Sequence, residues 1–176
     1  IAGVITSLTA SQASLFEGDP EFYLQESPRG QIQMLIMITT EPPFDDLRVR
    51  QALKLVGDPE EMIAVVGQGS GYPACNSPAW PTDPYYLPQE CPQGIERAKE
   101  LLAEAGFPDG LTLEIETSNR TPMMIPMATV YKEQAALAGI TVEISQAPAD
   151  GYWSSTWMVH PFSSSYYTIK PLDQFL

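Results

Sequence analysis

The chain has 176 residues, a formal net charge of −13 and only 9 lysines and arginines. That balance excludes nucleic acid, because nothing here neutralises a run of phosphates, and it argues against an anionic membrane surface. Hydrophobic content of 44% and aromatic content of 10% fit a folded protein with one good-sized core, and the longest apolar run, Met34 to Ile38, is strand-sized rather than membrane-sized.

Ile1-Ala2-Gly3-Val4-Ile5 opens abruptly in strand-like sequence, so a strand is expected over residues 3–6 and a short helix over 9–17. Residues 22–26 and 31–38 read as two strands joined by the turn Ser27-Pro28-Arg29-Gly30. Helices follow over 46–56 and 59–67. A Pro-rich irregular stretch then runs over 68–93, and loops of that length in a domain are functional or tied down. A helix over 95–105 ends at Gly106, whose lack of a Cβ suits a left-handed cap. Leu111, Leu113 and Ile115 alternate with Thr112, Glu114 and Glu116, the period of a half-buried strand. Helix 125–138, strand 140–145 and a short aromatic helix over 149–157 complete the order. The alternation of strand and helix predicts an α/β fold with crossover helices.

One phrase carries most of the information: Pro43-Phe44-Asp45-Asp46-Leu47-Arg48-Val49-Arg50-Gln51-Ala52-Leu53. Phe44 can pack beneath the helix, and Asp45 or Asp46 can cap its free N–H groups, where the dipole favours negative charge. Asp46 and Arg50 stand four apart and are expected to pair. Val49, Ala52, Leu53 and Val56 form the buried stripe. In Asp58-Pro59-Glu60-Glu61 the sequence restarts a helix, with Asp58 as cap, Pro59 at the first helical position and Glu61 placed for a capping box.

That phrase resembles the solute-binding proteins of peptide-type ABC importers, the extracellular solute-binding family 5. Further segments are similar to the family in order: Ile95 to Gly110, a helix and turn; Leu111 to Glu116, the strand after it; Ala138 to Ile144; and Gly151-Tyr152-Trp153-Ser154-Ser155-Thr156-Trp157-Met158. The resemblance implies an α/β lobe like those of type II periplasmic binding proteins, a mixed β-sheet flanked by helices. It implies that residues 1–160 form the second lobe of a two-lobed protein and that 161–176 return toward a first lobe. On this reading the chain is an excised piece, and a leader at its start is not expected.

Chemistry in the sequence points to recognition. His160 has no cysteine or serine partner in a known motif, and Ser163-Ser164-Ser165 reads as flexible loop. Asp45 and Asp46 suit a helix cap better than an acid/base pair. Gly67-Gln68-Gly69-Ser70-Gly71 lacks the lysine of a phosphate loop and follows a helix. Cys75 and Cys91 bracket the Pro-rich loop. In an exported protein that interval fits a disulfide, with free thiols as the alternative; with distant His160 they do not supply four zinc ligands. Trp153, Trp157, Tyr166 and Tyr167 cluster near the end of the chain with His160 and Lys170. Aromatic faces with polar tips suit a cleft for varied peptides, and Lys170 can meet a ligand carboxylate. The opposing reading is that Trp153 and Trp157 simply pack on the core. Asn76 is a further candidate, because related proteins carry an asparagine in a loop bordering the cleft; an ordinary turn residue is its alternative.

Two departures from the family pattern bear on the ligand. Tyr167 and Lys170 stand where a related branch carries tryptophan and arginine, and Met37-Ile38-Thr39-Thr40 lacks that branch's arginine. Lysine does not reproduce a bidentate grip on a carboxylate, which points to a less anionic or differently shaped solute. The function expected is the substrate-binding component of an ABC importer, periplasmic or lipid-anchored, monomeric, without cofactor or metal. It would take a peptide or similar small solute by lobe closure and dock on membrane permease subunits. A receptor-type module of the same fold and an exported hydrolase are the alternatives.

Overall fold

A computed structural model describes residues 3, 5, 8, 10–25, 30–77, 79, 81, 83–168 and 170. Of the strand expected over 3–6, residues 4 and 6 fall outside them and Gly3 and Ile5 belong to no strand; Ser27, Pro28 and Arg29 of the expected turn also fall outside. In chain order the elements are α1 (Ala10–Ala13), a 3-10 turn (Ser14–Phe16), β1 (Gln31–Met37), α2 (Leu47–Leu55), α3 (Pro59–Val65) and α4 (Ile95–Glu104). Next come β2 (Leu111–Ser118), α5 (Met124–Ala136), β3 (Ile140–Ala147), α6 (Tyr152–Ser155) and β4 (Phe162–Thr168).

The alternation in β2 buries Leu113 and Ile115 against α5, whose Ala128, Tyr131 and Ala135 are buried in return. The strand after α5, β3, runs parallel to β2 from Leu111 opposite Ile140 to Ser118 opposite Ala147. Its start is fixed by a close approach of backbone. A Cβ on Gly110, at φ 102°, would lie 2.3 Å from the Gly139 carbonyl oxygen, so the pair cannot enter side by side with any other residue at Gly110. Gly106, at φ 97°, reverses the chain out of α4 as expected.

The four-stranded sheet has the order β1-β4-β2-β3. Two expectations fail here. Residues 22–25 form no strand; Phe22 instead packs on Phe16 at 4.7 Å. The partner of β1 is β4, antiparallel from Gln31 opposite Thr168 to Met37 opposite Phe162. Turn chemistry announces hairpins but not pairings across more than a hundred residues. The serine run expected as flexible loop is the buried centre of β4: Ser163, Ser164 and Ser165 are at most 1% exposed. Strands inside a sheet are covered on both faces, so they lose the alternation that marks a half-buried strand. Small hydroxyls also pair there, Ser164 Oγ lying 2.8 Å from Thr117 Oγ1. Residues 162–168, within the expected returning segment 161–176, therefore contribute an interior strand; residues 171–176 lie outside the described ones.

Helices α2, α4 and α5 cover one face. Val49, Ala52, Leu53 and Val56 form the stripe read from the sequence and meet Ala98, Leu101 and Leu102 of α4. Phe44 sits beneath them, 5.3 Å from Phe162, and Phe162 meets Tyr131 edge-on at 6.0 Å. Burial pushes the Tyr131 phenol well above its ordinary pKa, and its O–H donates to the Leu53 carbonyl at 2.8 Å.

The caps are partly as expected. Asp46 accepts from Arg48 N at 2.8 Å, and Asp58 accepts from the N–H groups of Glu60 and Glu61. The ion partner of Asp46 is Arg48, not Arg50, at 2.5 Å. Asp46 is an extended cap at φ −79°, ψ 122°, so helical i,i+4 geometry does not apply to it. Arg50 instead donates to the carbonyls of Phe44 and Asp45. The box at α3 is closed from outside: Gln134 of α5 accepts from Asp58 N at 3.0 Å, and its amide donates to Glu61 at 2.7 Å. Cys75 and Cys91 are joined in a disulfide, with Cα atoms 5.2 Å apart. The loop it closes returns to α2 through Gly94 N to Leu55 O at 2.8 Å and Gln93 Nε2 to Val56 O at 2.9 Å.

Candidate functional site

Parallel strands place their carboxyl ends together, and in open α/β sheets ligands lie in the crevice outside those ends. Here β2 and β3 both end on that side, and the loop after β3 leads into α6. Gly151, at φ 81°, turns the chain into this single helical turn, which is shorter than the expected 149–157. Trp157 lies beyond its end, with its backbone N–H donating to Tyr152 O at 2.9 Å. Tyr152 pins the turn to the sheet. It is 1% exposed, and its O–H reaches the carbonyl oxygens of Ser164 at 2.8 Å and Glu116 at 3.2 Å. Those carbonyls belong to β4 and β2, which share a single bridge at Glu116 and Ser163. Burial, seconded by the Glu116 charge, pushes the Tyr152 phenol up, which keeps it a donor.

On this anchor stands a continuous aromatic ledge. Trp153 meets Tyr152 at 5.2 Å, Trp157 at 5.9 Å and Tyr166 at 5.4 Å, and Trp157 meets Tyr167 at 6.5 Å, all edge to face. Such contacts hold rings rigidly while leaving faces available. The two tryptophans and Tyr166 are half-buried and Tyr167 is exposed. They are therefore neither core nor free surface. Arg120, from the loop after β2, lies 5.6 Å over the Trp153 ring and donates to Ala149 O at 3.2 Å.

Ser118 Oγ, Thr121 Oγ1, Trp157 Nε1, Ser163 Oγ, Gln33 Oε1 and Glu116 Oε2 have no hydrogen-bond partner among the described residues. Most buried polar groups are paired, so each of these atoms is a departure from the rule. His160 lies next to Glu116, Nε2 to Oε1 at 4.0 Å. No group of three or more His, Cys, Asp or Glu suited to a metal ion occurs among the described residues.

The structure thus gathers Trp153, Trp157, Tyr166 and Tyr167 in one place. Lys170 is exposed just past β4, and Asn76 is exposed in the Pro-rich loop; no described contact joins either to the ledge. Asn76 sits at φ 62°, a left-handed turn conformation that asparagine tolerates. Sequence reasoning missed three contributors: Tyr152, Glu116 and Arg120. Tyr152 stood in the aromatic run, but nothing local distinguishes the ring that faces inward. Glu116 and Arg120 reach the site because β2 ends there.

The family model of bacterial extracellular solute-binding proteins, family 5 (middle), matches residues 2–174. Heme-binding protein A of Haemophilus influenzae is 38% identical over 112 residues, 59% of this chain and 20% of that protein. The glutathione-binding protein GsiB of Pectobacterium atrosepticum is 28% identical over 149 residues, 78% of this chain and 27% of that one. Among solved structures, a Pseudoalteromonas dipeptide binding protein in complex with Met-Leu superposes with a TM-score of 0.80 at 26% identity. It covers 96% of this chain and 35% of its own. The periplasmic binding protein DppA of Helicobacter pylori, in complex with the peptide STSA, gives 0.79 at 22% identity, over 93% and 32%. The chain therefore spans between a fifth and about a third of the length of these relatives. Its mixed sheet with flanking helices is the fold of a type II periplasmic binding protein lobe, and the chain belongs to the bacterial extracellular solute-binding proteins of family 5, a family of binding proteins rather than enzymes.

Proposed function

We propose that this chain is one lobe of the substrate-binding component of an ABC importer, and that Trp153, Trp157, Tyr166 and Tyr167 are its half of the ligand cleft. The observation that carries the reading is the rigid aromatic ledge, half-buried, at the carboxyl ends of the parallel strands. Rings offer apolar contact to any side chain, and the phenol tips of Tyr166 and Tyr167 offer hydrogen bonds, which suits a peptide or a similarly mixed small solute. A second lobe closing over the ledge would bury the ligand, and preference of the ligand for the closed state drives that closure. Lys170 and Asn76 belong at the rim on this reading, reaching the ligand only once the lobes meet. The partner is then the membrane permease, the location periplasmic or extracellular as in the family, and the working state a monomer.

Mass spectrometry of small molecules that co-purify with the full-length polypeptide tests this directly. The expected result is a peptide or small solute released on denaturation, which rebinds in a calorimetric titration. Turnover of that molecule, or its undiminished binding by a Trp153→Ala, Trp157→Ala double variant, would overturn the reading.

A further inference from the structure

A separate cleft of about 220 Å3 lies along β2 and the turn that leads into β4. Pro42, Pro43, Phe44 and Pro161 form its apolar walls, with Glu114, Glu116 and His160 supplying polar groups. Glu116 is 9% exposed, and its Oε2 is buried without a hydrogen-bond partner among the described residues. Its other oxygen has only His160 Nε2 at 4.0 Å, beyond hydrogen-bond reach. A carboxylate taken out of water is costly unless a donor or opposite charge meets it. Every other described acidic residue is more exposed than Glu116, so this unmet acceptor is a specific feature and not a share of the overall charge.

We propose that this cleft is a subsite for an ammonium or guanidinium group, with Glu116 as its counter-charge. The inference rests on the solute-binding reading above and narrows the solute to one that carries a cation. Oε2 itself is sealed, so the cation is met by the part of the Glu116 carboxylate that lines the cleft, with the three donors of an ammonium or the five of a guanidinium. Glu114, on the same face of β2 and exposed, stands near the mouth and adds attraction on approach. The proline and phenylalanine walls suit the alkyl stem that carries such a head group. A basic side chain of a peptide and a free alkyl amine share this chemistry.

Two titrations of the full-length polypeptide test the assignment. In the first, tetrapeptide pools that differ only in carrying lysine or norleucine are compared by calorimetry. The expected result is roughly tenfold tighter binding of the lysine pool, reduced to near parity in Glu116→Gln, whose circular dichroism and thermal midpoint, unchanged from the parent, show that it is folded. In the second, agmatine alone is followed by NMR at the His160 ring. A saturable shift that Glu116→Gln removes supports the subsite even where neither pool binds, and identifies a free amine as the source. Failure of both pools counts against peptide capture and leaves the cation question to agmatine. No lysine preference together with no agmatine shift, or either effect persisting in Glu116→Gln, overturns the proposal.

Discussion

The two faces of this lobe are built to opposite rules. On the side of α2, α4 and α5, buried side chains are interlocked and satisfied: Val49, Ala98 and Ile115 are fully enclosed, the Tyr131 phenol donates to Leu53 O, and buried Gln134 bonds Asp58 and Glu61. Around β2's carboxyl end, β4 and α6, Ser118, Ser163, Glu116 and the Trp157 indole each leave a buried polar atom without a partner among the described residues, and the aromatic rings stand half-exposed. A core completes itself; a binding surface leaves its polar atoms for another molecule to satisfy. That difference, more than any single residue, separates the scaffold from the proposed site.

Substitutions that attack the scaffold should have the largest effects on stability. Phe162→Ala removes the ring that joins Phe44 and Tyr131, and a cost of about 4 kcal/mol is expected in denaturant unfolding. Converting Cys75 and Cys91 to serine opens the loop that the disulfide closes. About 3 kcal/mol should be lost on the chain-entropy account, with the helical circular dichroism unchanged. Tyr152→Phe lies at the boundary between the two regions. It removes the donor shared by the Glu116 and Ser164 carbonyls, which should cost about 1–2 kcal/mol, and it loosens α6, so solute binding should weaken as well.

The smallest effect is electrostatic. The Arg48 side chain, and then the Arg48 N–H, hold the Asp46 carboxyl at about 2 against its ordinary 3.8. A depressed carboxylate stabilises the fold above its unfolded pKa, and that contribution disappears as pH falls from about 3.8 toward 2. An acid titration of Asp46→Asn should therefore show a shallower loss of stability across that window than the parent. An identical slope would mean that the pair contributes nothing to folding.

The sequence showed the scaffold far better than the site, for physical reasons visible in particular residues. Val49, Ala52, Leu53 and Val56 repeat at helical spacing, and Leu111, Leu113 and Ile115 alternate, because one side of each element faces water. β4 carries Ser163-Ser164-Ser165 because neither side does, so its period vanished and a strand read as loop. The pairing of β1 with β4 and the closure of the α3 cap by Gln134 join residues remote in sequence, where local chemistry is silent. Trp153, Trp157, Tyr166 and Tyr167 were visible as aromatic residues, and their mutual edge-to-face packing was not. Glu116 read only as the polar half of an alternation; its burial comes from β4 and the turn carrying His160.

Trp157→Ala gives the most direct test of whether the ledge is a binding surface. Calorimetric titration of the full-length polypeptide with glutathione and with a tetrapeptide pool should show the parent's affinity for its preferred ligand falling by about 30-fold in this variant. Its unfolding free energy should move far less than that of Phe162→Ala. Unchanged affinity, or a loss of stability as large as that of Phe162→Ala, would place Trp157 in the scaffold and contradict the division of the molecule described above.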